Sequence, residues 1–87
     1  MRFKRIVDPA AEFVPAVERV FGVRPRVLDG SRAVLIGDLK LSLEAGEREL
    51  WLIRMHSHAL EERLAMVEVA GTIEDAVRRA KEVIEAA

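Results

Sequence analysis

Four residue types are missing from this chain of 87 residues, which holds no Asn, no Gln, no Cys and no Tyr. Each absence removes chemistry. Without a thiol there is no cysteine nucleophile, no disulfide and no thiolate zinc site. Without side-chain amides no Asn or Gln can complete an oxyanion hole, and without a phenol no tyrosine can relay a proton. Asn and Gln also deamidate in hot solution, and Cys oxidises. Their loss beside abundant Glu and Arg is a hyperthermophile pattern. Long apolar runs are missing too, the longest being four residues, such as Ala33–Ile36 and Leu64–Val67. A bilayer span takes about 20, so no membrane association is expected. Asp8 and Pro9 follow the basic start Arg2-Phe3-Lys4-Arg5 without the apolar stretch of a signal peptide, and the expected location is cytoplasmic.

What is present suits one small α+β domain covering residues 1–87. About half the residues are apolar and a third are charged, with a net charge of −1. That charge is uneven: residues 1–43 carry eight Lys/Arg against five Asp/Glu, and residues 44–87 carry six against ten. Such asymmetry either supplies surface ion pairs or marks a basic face for an anionic partner.

The apolar spacing changes period along the chain. Residues 2–7 read as a short edge strand. Asp8 and Pro9 then open a helix over 9–21, with Phe13, Val14, Val17, Val20 and Phe21 as its stripe, kinked at Pro15 or beginning near Val14. From Val23 to Ala70 the period is two, broken by Asp29-Gly30, Gly37-Asp38 and Ala45-Gly46-Glu47. This predicts strands at 24–28, 32–36, 39–44, 48–55 and 63–70, with a loop at 57–61. The last strand competes with a helix because Leu60, Leu64 and Val67 also fit that spacing. Thr72 caps a final helix through Ala87, with Asp75 completing a capping box and Glu74–Arg78, Asp75–Arg79 and Lys81–Glu85 as i,i+4 pairs. The expected fold is a two-layer antiparallel β-meander of four to five strands, with both helices on one face.

At the turn 45–47, a three-residue loop avoids placing Glu44 opposite Glu47 and pairs Glu44 with Arg48, Leu41 with Trp51 and Leu39 with Ile53. Trp51, Ile53 and Met55 then face the helices, while Leu50, Leu52, Arg54 and His56 lie on the other side. Strands 33–36 and 64–67 are also apolar on both faces, unlike a sheet with one wet face. A second copy of the chain covering Leu50, Leu52 and Arg54 is the expected remedy, with one helix on each face as the alternative.

Three sets of residues invite a functional reading. His56-Ser57-His58 would place two imidazoles on one strand face about 6.7 Å apart, able to share a metal if Glu61, Glu62 or Asp38 adds a ligand. No third position has a diagnostic spacing, and a solvated strand end is the plainer account of the pair. Arg24, Arg26 and Arg32, with Arg2, Lys4 and Arg5, form a nucleic-acid candidate. The element order helix–strands–helix is similar to that of double-stranded-RNA-binding domains, which carry a lysine cluster at the start of the last helix. This chain has Glu74 and Asp75 there, and it has no aromatic platform for stacked bases. Arg54 and Arg63 either bracket an anion near His56 or pair with Glu61 or Glu62. Glycines 22, 30, 37, 46 and 71 stand singly, so no phosphate-binding loop exists, and Ser31, Ser42 and Ser57 lack a nucleophile-elbow context. The expectation is a non-enzymatic, self-associating structural or adaptor domain without a cofactor. Nucleic-acid binding is the second reading and a metal site at His56/His58 the third.

Overall fold

The computed structural model describes residues 9–86, and the expected strand at 2–7 lies outside them. The elements are α1 (Pro9–Phe21), β1 (Arg26–Leu28), β2 (Ala33–Ile36), β3 (Leu39–Ala45), β4 (Leu50–Ser57), β5 (Glu62–Ala70) and α2 (Ile73–Ala86). The strands form one antiparallel sheet in the order β1-β2-β3-β4-β5, so the expected meander of five strands is what forms.

α1 starts at Pro9, where the missing N–H is no loss, and continues through Pro15, which lies on its exposed side. Gly22, left-handed at φ 71°, closes it by donating its N–H to the Glu18 carbonyl at 2.9 Å. β1 begins at Arg26 rather than Arg24, because the buried Pro25 has no N–H to give a ladder. A 3-10 turn, Asp29–Ser31, leads into β2, and the two-residue turn Gly37-Asp38 leads into β3 with Gly37 at φ 58°.

The β3–β4 hairpin corrects the expected register. Leu41 pairs with Met55, Leu43 with Ile53 and Ala45 with Trp51, while Leu39 faces Ser57. The turning residues are Glu47–Glu49, with Arg48 and Glu49 both at positive φ, and the Gly46 N–H closes the loop on the Leu50 carbonyl at 2.8 Å. Glu44 therefore faces Leu52 and takes Arg54, not Arg48, as its cation. The offset from the expected pairing is even, so every side chain keeps its expected face.

β4 runs to Ser57, the loop covers 58–61, and β5 is a nine-residue strand rather than a helix, with a bulge opposite Met55/His56. α2 opens on the capping box foreseen: Thr72 Oγ1 accepts the Asp75 N–H and Asp75 Oδ2 accepts the Thr72 N–H, both at 3.0 Å. These hydrogen bonds hold the Asp75 carboxyl below the usual carboxylate range. The Glu74–Arg78 pair forms at 2.8 Å, but Arg79 turns to Glu82 at 3.1 Å instead of Asp75. No Lys81–Glu85 pair forms among the described residues.

Both helices cover one side of the sheet. Phe13, Ala16 and Val17 of α1 and Ile73, Ala76, Val77 and Ala80 of α2 share a core with Val34, Leu41, Leu43, Ile53, Met55 and Val67. α2 packs over β4 and β5, and α1 packs beside α2. The other side of the sheet carries no helix among the described residues. Leu52 and Ala33 are buried there, at 9% and 3% exposure, yet belong to no part of that core.

Candidate functional site

The histidine segment sits where β4 meets its loop. β4 ends at Ser57, so His58 lies beyond the strand, and the expected pair of imidazoles on one strand face is not formed. His56 remains on the open side of the sheet, with Lys40 opposite it on β3 and Arg63 opposite it on β5. Its Nδ1 is buried and takes no hydrogen bond among the described residues. Lys40, His56, Ser57, His58 and Glu61 line a cleft of ≈ 260 Å³.

Asp38, one expected third ligand, is occupied otherwise. Its Oδ2 accepts the Ser57 hydroxyl at 2.5 Å, its Oδ1 accepts the Ala59 N–H at 2.8 Å, and its carbonyl accepts the His58 N–H at 2.8 Å. The Ser57 Oγ in turn accepts the Leu60 N–H at 3.3 Å. The Ser57 hydroxyl first, then the Ala59 amide and the nearby His58 imidazole, hold the Asp38 carboxyl below its ordinary value. Asp38 and Ser57 thus fasten the β2–β3 turn to the β4–β5 loop. Among the described residues no three His, Asp or Glu side chains come together as a metal would require.

Of Arg24, Arg26 and Arg32, only Arg26 lies in a strand. Arg24 precedes β1, its side chain 91% exposed and 3.9 Å from Glu18. Arg32 lies between the 3-10 turn and β2, and its carbonyl accepts the Leu43 N–H. Arg26 alone belongs to the open sheet face, opposite Leu35.

The strand registers reveal what spacing along the chain concealed. Read across all five strands, Arg26, Leu35, Lys40, His56 and Arg63 stand in one row. The next row is Leu28, Ala33, Ser42, Arg54 and Met66. Beyond it Leu52 stands between Glu44 and Glu68, and then Leu50 faces Ala70. The face that carries no helix among the described residues is therefore basic at one end, apolar and mixed in the middle, and acidic at the other, where Glu47 and Glu49 of the turn outnumber Arg48. Arg54 spans the middle by pairing with Glu44, so the expected partners Glu61 and Glu62 are not its own. Lys40 and Arg63 join the row only through pairing, which residue spacing does not encode. No known protein family, no curated protein and no solved structure matches the chain.

Proposed function

We propose that this protein is a non-enzymatic domain that works by self-association through the open face of its sheet, centred on Leu50, Leu52 and Arg54. The gradient on that face carries the reading. A two-fold axis lying in the face, perpendicular to the strands, sets the basic row of one copy over the Glu44–Leu52–Glu68 row of the other. Leu28 and Met66 of the middle row then meet their counterparts, and Leu52 packs over His56 of the other copy. Five strands of three to nine residues offer roughly 500 Å² per copy. The pair buries roughly 1,000 Å², the lower end of what a specific interface needs. Chemistry has little purchase elsewhere, since Ser57 and Asp38 are tied to each other and the histidine cleft is small.

Sedimentation at tens of micromolar tests the reading. The wild type should run as a dimer that loosens with salt, and Arg26→Glu should weaken it, because Arg26 makes no ion pair among the described residues. A monomeric wild type would refute it.

The same basic row favours a second reading, contact with nucleic-acid phosphates through Arg26, Lys40 and Arg63, with Arg24 and Arg32 on the flank. The acidic row on the same face and Glu74 and Asp75 at the start of α2 oppose it. Sub-micromolar binding of duplex RNA or DNA at physiological salt, lost in Arg26→Glu, would promote this reading over the first.

A further inference from the structure

We propose that the edge of β5, unpaired among the described residues, is a second interface, at which a second copy of this chain adds its own β5 antiparallel and extends the sheet. This goes beyond the stacked face and does not depend on it. The two edges of the sheet are built differently. β1 is three residues long, follows Pro25 and carries Arg26, the short, charged, proline-flanked form that resists pairing. β5 is nine residues long, and its stretch 64–70 has no proline and one charge, Glu68. Three of the five exposed large apolar residues among those described lie on β5 or its entering loop: Leu60 at 73%, Leu64 at 52% and Met66 at 43%.

The ladder fixes which groups are open. Gly46 and Leu50 bond across the β3–β4 pair, and alternation from there turns the N–H and C=O of Trp51, Ile53 and Met55 towards β5. Their partners Val69, Val67 and Ala65 are thereby satisfied. Leu64, Met66, Glu68 and Ala70 are left with N–H and C=O pointing off the edge.

A second copy fits this pattern because the strand complements itself. With the two-fold axis at Met66, Met66 meets Met66, and Leu64 of each copy meets Glu68 of the other. These three pairs exchange about six hydrogen bonds. Glu68 then lies beside Arg63 of the second copy, which the bulge keeps on the same face. An axis at Glu68 would oppose like charges and is disfavoured.

Residue-resolved amide exchange at two protein concentrations tests this. Ala65, Val67 and Val69 should be protected at both. Exchange at Leu64, Met66 and Glu68 should slow about tenfold or more as the protein is concentrated. Glu68→Pro, which removes an outward N–H but none that β4 uses, should restore fast exchange at Leu64 and Met66 while Ala65 and Val67 stay protected. Protection at Leu64 and Met66 that is independent of concentration would give the edge to another part of the same chain and overturn the proposal. So would fast exchange at every concentration. Leu52→Glu separates the two interfaces: it should abolish face stacking and leave the edge protection intact. Loss of both would overturn the independence of the edge.

Discussion

Ser57 gives its hydroxyl hydrogen to Asp38 at 2.5 Å, joining two turns 19 positions apart in the chain. The Asp38 carboxyl, with an ordinary value of 3.8, is lowered by this bond and by the Ala59 amide. A carboxyl lowered on folding contributes stability that is present above its unfolded value and is lost as pH falls through its folded one. The 37–38 and 58–61 turns should therefore loosen below about pH 4. Ser57→Ala should move the Asp38 titration up towards the ordinary value, as read by carboxyl carbon NMR.

Phe13 is fully buried between α1 and the sheet. Phe13→Ala should cost about 3–5 kcal/mol through lost transfer energy and the void left behind. A domain of this size holds only about 4–13 kcal/mol in total, so chemical denaturation should show a large drop or no folded baseline.

Thr72→Ala breaks one half of the capping box and should destabilise the protein by about 1 kcal/mol, measurable in urea. Gly71→Ala should be worse than an ordinary helix-end change. Gly71 has φ 128°, and a Cβ there would come within 2.7 Å of Asp75 Oδ2, the atom that accepts the Thr72 N–H.

Zinc or manganese at one equivalent should leave the thermal midpoint unchanged, because His56 and His58 meet no third ligand among the described residues. A stoichiometric metal that raises the midpoint, and fails to do so in His56→Ala, would restore the metal reading.

The residue usage predicts heat resistance, with cooperative unfolding near or above about 90 °C by calorimetry.

The sequence disclosed faces better than it disclosed pairings. Alternation at Leu39, Leu41 and Leu43 states which side each residue takes, and the observed register keeps that assignment although Leu41 sits opposite Met55 rather than Trp51. The offset was illegible because it depends on Arg48 and Glu49 adopting left-handed backbone, which neither residue type announces. α2 was readable to its first hydrogen bonds because capping is local, written in Thr72 and Asp75 three positions apart. β5 was ambiguous because Leu60, Leu64 and Val67 satisfy a helical period, and only its pairing with β4 decides the matter. The basic row was hidden for a related reason. Arg26, Lys40, His56 and Arg63 are scattered along the chain and fall in one row only when the four strand registers are laid side by side.

The strict sequence order of the strands bears on how quickly the chain can fold. Each strand pairs with the one just before or after it, so every hairpin closes over a short turn. Local closure of this kind is associated with fast folding, on the order of milliseconds or less. α1 is different. Its Arg19 reaches Glu74 at 2.6 Å across 55 positions, and that closure sacrifices chain entropy before any contact rewards it. The meander and α2 can condense first, leaving α1 to seat last and to leave first on unfolding. Stopped-flow measurements should then find that substitutions in α1, such as Val17→Ala, accelerate unfolding while barely slowing the folding phase.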